Sequence, residues 1–348
     1  MSTVYVGMSG GVDSSLTAAL LQEQGHHVVG VYMKNWTQDL PGMKCPWADD
    51  LADAKRVAVQ LGIDFKVFDF QEEYKQKVVD YMIEEYRQGR TPNPDIMCNQ
   101  EVKFKIFLET ALQDGADMIA TGHYARVRDG QLLQAADTNK DQTYFLYRVT
   151  RAALEKTLFP LGEYTKDVVR VMAAERGLVT AGKKDSQGIC FVGQIGIREF
   201  LSEYVEQKAG PIIDAQSGQK LGQHDGAIFY TIGQRHGLEL GGGLPYYVVG
   251  KNMDSNEVYV TTDLNNEALW RESIPLQSVH WIDAVAPSSG MYTVRVRHRA
   301  ALVPARLEVS DRGAMVYMDN PERAVAAGQS IVIYDGNRCI GGGIVVAA

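Results

Sequence analysis

Residues Ser9-Gly10-Gly11-Val12-Asp13-Ser14-Ser15 place two glycines, three hydroxyls and one carboxylate between a strand-like and a helix-like run. Glycines let a ligand approach the backbone closely, and a helix amino terminus attracts anions, so this turn is a candidate phosphate site. It lacks the Gly-x-x-x-x-Gly-Lys-Ser/Thr pattern, and with it the lysine that a P-loop places on the β- and γ-phosphates; the dinucleotide pattern Gly-x-Gly-x-x-Gly is also missing. A plain strand-to-helix turn capped by Ser or Asp is the ordinary alternative. Of the cysteines Cys45, Cys98, Cys190 and Cys339, two have neighbours that suggest chemistry. Cys190 follows Lys183-Lys184 in a glycine-containing stretch, and nearby cations favour the reactive thiolate. Cys98 follows a segment opened by Pro92 and Pro94. Taken alone, each is more often a small buried hydrophobe. Asp95 could hydrogen-bond a substrate or move a proton, or simply cap a turn. His123 could contact a nucleotide or RNA, or be a structural histidine. Lys140-Asp141-Gln142 and the cluster Arg295, Arg297, His298 and Arg299 carry groups suited to phosphates and sugars. The alternation of Arg295, Arg297 and Arg299 predicts one charged face of a strand. No Cys-x-x-Cys pair exists to hold a metal or cluster, so no metal ligands are assigned.

These residues need elements to position them. Strand patterns over Val4–Met8, His27–Tyr32, Phe65–Phe70 and Met118–Thr121 alternate with helical patterns over Ser14–Gln24, Trp47–Leu61, Glu72–Arg87 and Phe104–Asp114. That alternation predicts an α/β, doubly wound, Rossmann-like parallel sheet, whose ligands lie beyond the carboxyl ends of the strands. Gly122 and His123 should then stand near the first loop. From about Gly210 glycines multiply, and β-rich runs such as Ala227–Ile232 and Tyr246–Val249 predict a small β-containing central domain. Beyond Pro275, runs at Tyr292–Arg297, Ala305–Leu307, Ala314–Met318, Ser330–Tyr334 and Gly343–Val346 predict a small barrel or sandwich. The expected domains are 1–197, 198–276 and 277–348.

At 348 residues the chain is long enough for two or three cores. A net charge of −8 argues against indiscriminate nucleic-acid binding, but a local basic groove remains compatible with it. No apolar run is long enough to span a bilayer, and the start lacks the pattern of a secretory signal, so the expected compartment is the cytoplasm, with no membrane partner.

Ser-Gly-Gly-x-Asp-Ser resembles the PP-loop of ATP pyrophosphatase-type enzymes, which adenylate a substrate oxygen and release pyrophosphate. Thr91-Pro92-Asn93-Pro94-Asp95, Cys98-Asn99, Ala120-Thr121-Gly122-His123-Tyr124, Lys140-Asp141-Gln142, Lys183 to Phe191 and Tyr230-Thr231-Ile232-Gly233-Gln234-Arg235 are similar to motifs of the tRNA-specific 2-thiouridylases. Tyr334-Asp335-Gly336 and Cys339-Ile340-Gly341-Gly342-Gly343 carry the likeness to the carboxyl end. The resemblance implies a C-terminal β-barrel, ATP as co-substrate with Mg2+, tRNA as substrate, and a persulfide sulfur-donor protein as partner. It implies that Gly7, Met8, Ser9, Gly10, Gly11, Val12, Asp13, Ser14, Met33 and Gly122 hold ATP, with adenine near Met33 and Gly122. It assigns Asn93, Pro94 and Asp95 to the target base, and His123, Lys140, Asp141, Gln142, Arg297, His298 and Gln329 to tRNA. It makes Cys190 the persulfide carrier and Cys98 the thiol that resolves it, leaving a Cys98–Cys190 disulfide, while Cys45 and Cys339 stay structural. Where the family carries a basic residue followed by tyrosine, this chain has Arg297-His298. A PP-loop ligase or synthetase acting on a small metabolite would share the first domain but need neither the cysteine pair nor the basic strand. A nonenzymatic RNA-binding module would leave the phosphate loop unexplained.

Overall fold

The computed structural model describes residues 1–39, 45–184, 196–241, 243–311 and 313–347. Seven strands form before residue 160: β1 (Thr3–Gly7), β2 (His27–Lys34), β3 (Asp64–Asp69), β4 (Met118–Ala120), β5 (Arg126–Arg128), β6 (Gln131–Leu133) and β7 (Thr157–Leu158). Five of them make a parallel sheet in the order β3-β2-β1-β4-β7. The order reverses direction at β1, so the loop after β1 opens at a topological switch point, where α/β sheets bind ligands. Apolar residues on β1 alternate between two cores: Val4 and Val6 pack with Ala18, Leu21, Ala54 and Val57, while Tyr5 joins Val29, Val31, Phe107 and Ile119 on the other face. Two-sided burial of this kind is what holds a parallel sheet. The helices Val12–Glu23 and Trp47–Leu61 supply much of the first layer; the latter ends at Gly62, whose φ of 65° suits a residue without Cβ.

The central unit is a four-stranded sheet of β8 (Gly210–Asp214), β9 (Lys220–His224), β10 (Tyr247–Asn252) and β11 (Glu257–Thr261), ordered β10-β11-β8-β9. The run Ala227–Ile232, expected as strand, is instead a 3-10 turn over Ala227–Phe229 followed by an irregular loop. Its apolar residues reflect burial of Ala227, Ile228, Phe229 and Tyr230 rather than strand pairing.

The last unit contains β12 (Trp270–Trp281), β13 (Gly290–Arg295), β14 (Val303–Ser310), β15 (Gly313–Arg323), β16 (Ser330–Asp335) and β17 (Arg338–Val345). The order β12-β15-β14-β13-β16-β17, closed by β12 against β17, makes a six-stranded antiparallel barrel around Ile274, Leu276, Val294, Val316, Ile331 and Ile333. Closure removes the free edges. β12 runs through the expected boundary at 276/277. Pro275, which disfavours a strand in sequence, is accommodated because its carbonyl accepts from the Val346 amide at 3.0 Å. The hairpin β5–β6 of the first unit adds itself to β17, tying the first unit to the barrel. No helix among the described residues is long and apolar enough to cross a membrane.

Candidate active site

β1 delivers the chain to Met8, whose amide donates to the Val31 carbonyl at 2.8 Å, and the helix Val12–Glu23 begins four residues later. Gly10 adopts φ 74°, and a Cβ there would stand 2.4 Å from the Asp50 carbonyl oxygen. Only glycine fits that turn. Gly11 is the N-cap residue and makes no side-chain capping bond. Hydroxyls brace the turn from within: the Ser9 amide donates to Ser14 Oγ at 3.1 Å, and Ser14 and Ser15 hydroxyls donate to the Gly11 carbonyl at 3.2 and 2.7 Å. Gly122, just past β4, lies so close that a Cβ would be 2.9 Å from the Asp13 carbonyl carbon. A Cβ on Gly7 would similarly stand 2.9 Å from Met33 Cε. The structure therefore gathers Gly7, Met8, Ser9, Gly10, Gly11, Val12, Asp13, Ser14, Met33 and Gly122 at the carboxyl ends of β1, β2 and β4.

Two contacts in this place escaped the sequence reading. Lys166, at the start of the helix Lys166–Glu175, sets Nζ 2.7 and 2.8 Å from the two carboxylate oxygens of Asp13. The Tyr124 hydroxyl donates to Asp13 Oδ1 at 2.9 Å. A cation at a helix amino terminus opposes the macrodipole, so the helix does not account for the placement of Lys166. Beside them, His123 Nδ1 lies 2.7 Å from Thr121 Oγ1, with its ring against Phe104 and Phe159. Burial, reinforced by Lys103, holds its pKa well below the usual histidine value, so the imidazole is neutral at physiological pH.

Asn93 caps the short helix Pro94–Met97, accepting from the Ile96 amide at 3.3 Å, with Pro94 in its first turn beside the partly exposed Asp95. Cys98 follows, buried, as the first residue of a π-helical stretch, Cys98–Ile106. That stretch continues into a helix whose Phe107 reaches 3.6 Å from the Cβ position of Gly7, so the Cys98 segment and the phosphate loop share one support. Cys190 lies outside the described residues. Lys183 Nζ bonds Asp50 and Asp53 at 2.7 and 2.6 Å, and Asp50 is the residue on which Gly10 packs. Cys339 is buried in the barrel wall, and burial raises its thiol far above the ordinary range, which suits a structural residue.

Two expected substrate residues, Asp141 and Gln142, are turned inward, and a third, Lys140, is fixed through its backbone. The Asp141 carboxylate is buried against Arg295 Nη1 at 2.7 Å and accepts from the Ala135 amide and the Thr143 hydroxyl. Gln142 Oε1 accepts from the Tyr124 amide at 2.9 Å, and the Gln142 amide donates back to the Tyr124 carbonyl at 2.9 Å. The Lys140 amide donates to the Asp137 carbonyl at 3.1 Å and to Asp137 Oδ1 at 3.2 Å. The expected strand face of Arg295, Arg297 and Arg299 does not form: β13 ends at Arg295, the chain bends, and Arg299 turns with φ 64°. Arg295 points in, Arg297 points out to Glu322 at 2.7 Å, and the His298 ring lies tilted against Phe145 with centroids 4.4 Å apart. Arg297 and Gln329 meet again across a cleft of about 400 Å³ whose other wall is Thr231, Ile232, Gly233 and Gln234. Gln329 Nε2 donates to the Thr91 carbonyl at 2.7 Å, and the Thr91 and Thr231 hydroxyls lie 3.0 Å apart. The cleft thus joins barrel and central unit at the root of the Asn93–Asp95 segment.

Three family models match successive parts of the chain: a tRNA methyl transferase HUP domain over residues 2–194, a tRNA methyl transferase PRC-barrel domain over 198–262, and an aminomethyltransferase beta-barrel domain over 271–345. The chain is 48% identical to tRNA-specific 2-thiouridylase MnmA 2 of Geobacillus kaustophilus, covering 98% of this chain and 94% of that one. It is 46% identical to tRNA-specific 2-thiouridylase MnmA of Enterococcus faecalis, with coverage of 98% and 94%. The enzyme of the same name from Bordetella avium is also 46% identical, with coverage of 99% and 97%. The first two domain descriptions speak of methyl transfer, whereas all three near full-length relatives are named for thiolation. With identities of 46–48% over 98–99% of its length, this chain belongs to the tRNA-specific 2-thiouridylase family.

Proposed function

We propose that this enzyme replaces O2 of the wobble uridine of tRNA by sulfur, using ATP. The observation that carries the reading is the shared support of two sites: the glycine turn at the switch point, and the Cys98 segment whose continuation packs on Gly7. ATP lies along Gly7–Ser14, with adenine near Met33 and Gly122. The uridine O2 attacks the α-phosphate and pyrophosphate leaves, turning a poor oxygen leaving group into AMP. Cys190 takes a sulfane sulfur from a persulfide donor protein. Cys98 attacks the inner sulfur of that persulfide, the released terminal sulfur adds at C2, AMP departs, and the cysteine pair is left as a disulfide for an external thiol to reopen. Splitting one hard substitution into easier covalent steps is what such a relay achieves. Asp95, beside the target base with Asn93 and Pro94, assists proton transfer. The target base has to leave its stack to reach this depth.

The cleft bearing Arg297 and Gln329 fits the RNA backbone, and Lys140 and His298 are further candidates for RNA contact. Magnesium, a hard cation that takes oxygen ligands, fits the carboxylate of Asp13 only if Lys166 moves away, because both oxygens are engaged by the lysine.

Incubation with ATP, a persulfide donor and unmodified tRNA, followed by digestion to nucleosides, should give 2-thiouridine with AMP and pyrophosphate. Cys98→Ser and Cys190→Ser should both lose turnover, and mass spectrometry should find a persulfide on Cys98→Ser but not on Cys190→Ser. ADP and orthophosphate as products, or full thiolation by either serine variant, would reject the mechanism.

A further inference from the structure

The phosphate loop has a charge problem that its sequence leaves open. No lysine or arginine occurs between Gly7 and Ser15, yet the loop contains Asp13, so the residues nearest a polyphosphate are net negative. The helix amino terminus offers roughly half an elementary charge in compensation. We propose that Lys166 is the pyrophosphate-binding cation of this site, exchanging its contact with Asp13 for the β- and γ-phosphates when ATP binds. This rests on the nucleotide reading above and assigns a residue to its leaving group.

Four observations carry it. Lys166 is 153 positions from Asp13 in sequence, but its ammonium spans both carboxylate oxygens at 2.7 and 2.8 Å. Its side chain is 10% exposed while that of Asp13 is 32% exposed, so the pair opens toward the ligand side through the carboxylate. Asp13 keeps the Tyr124 hydroxyl at 2.9 Å, so the carboxylate is not stranded when the lysine leaves. The Tyr124 ring lies 5.8 Å from Nζ and gives the ammonium a surface to cross on its flexible stem. A pair placed there only for stability would be poorly chosen: a buried ion pair is often no better than an apolar one, and this cation sits at the wrong end of its helix. Exchange also frees Asp13 Oδ2 as a donor for a metal, while Oδ1 keeps the Tyr124 hydroxyl.

The test is equilibrium binding of pyrophosphate in the presence of a chelator, beside ATP, AMP and tRNA, with wild type, Lys166→Met and Lys166→Met/Asp13→Asn. Loss of a charge-assisted contact should weaken pyrophosphate and ATP by about tenfold or more, while AMP and tRNA binding stay within about twofold of wild type. The single variant strands a carboxylate and could misfold for that reason; the double variant is neutral at both positions and isolates the role of the cation. If Lys166 only neutralises Asp13, the double variant regains wild-type pyrophosphate affinity, and the proposal is overturned. If wild type itself binds neither ATP nor pyrophosphate, the nucleotide reading falls and this proposal with it.

Discussion

Arg295→Met should loosen the joint between the barrel and the first unit by an amount that can be worked from the contacts. Arg295 Nη1 stands 2.7 Å from Asp141 Oδ2, and the two side chains are 7% and 0% exposed. Removing one partner of a buried pair typically costs about 3–5 kcal/mol because the other charge is left in a poor solvent. Here the Ala135 amide at 3.1 Å and the Thr143 hydroxyl at 2.9 Å still serve the carboxylate, which places the cost near the lower end, at about 3 kcal/mol. Arg295 is not ideally housed either: its Nε is buried without a partner, and the guanidinium lies over Tyr334 at 5.5 Å. The double variant Arg295→Met/Asp141→Asn, with both charges gone, should therefore return to within about 1 kcal/mol of wild type. A three-part chain has no single unfolding free energy, so the assay is native-state hydrogen exchange of peptides covering β13 and β16. The single variant should exchange there roughly a hundredfold faster. Acceleration of less than about fivefold, or a double variant worse than the single one, would refute the ion-pair argument.

Two further outcomes follow from the same region. Arg297→Ala should weaken tRNA binding and reduce the salt slope by about one, the release expected for one phosphate contact, whereas Glu322→Ala, which frees the guanidinium, should strengthen binding; unchanged slopes in both would return Arg297 to a solvated surface. Burial, helped by Arg299 and Arg295, lowers the pKa of His298 to about 4, so below the unfolded value near 6.5 the unfolded chain takes up the proton first. Stability should accordingly fall as pH drops from about 6.5 toward 4, and His298→Phe should flatten part of that fall; an identical pH profile in the variant would show that the ring is not held neutral.

The sheet and the phosphate turn were legible because their signals are local. Strand and helix alternate in the first third with the right periods, and Ser9–Ser14 announces itself by composition. The barrel was legible in outline from its strand spacing, but β12 was not, because Pro275 reads as a break when its lost donor is the only thing considered; the carbonyl still bonds Val346. Ala227–Ile232 misled for the opposite reason, since burial selects the same residue types as a strand. The arginine cluster failed on a chain bend after Arg295 that no residue pattern declares. Lys166 was invisible because the contact that matters is made to a loop far away in sequence.

The segment Lys140-Asp141-Gln142 shows why a sequence motif can mark a function without its side chains touching substrate. Asp141 faces Arg295 at the end of β13, two residues before Arg297. Gln142, the next residue, holds the backbone of Tyr124 through two hydrogen bonds of 2.9 Å. Tyr124 in turn holds Asp13, and Asp13 holds Lys166. One short turn of chain is thereby bonded on one side to the last residue of β13, just before the bend that carries Arg297, and on the other, through Tyr124, to the glycine turn. Neither end can shift by much without moving the other, because each link is a direct hydrogen bond or ion pair between groups with few alternative partners in the interior. A serine or alanine at these positions would leave the outer surface nearly unchanged and still loosen the link between the cleft at Arg297 and the glycine turn. The role of Asp141 and Gln142 is then positional: they fix the separation between the bend that carries Arg297 and the glycine turn after β1.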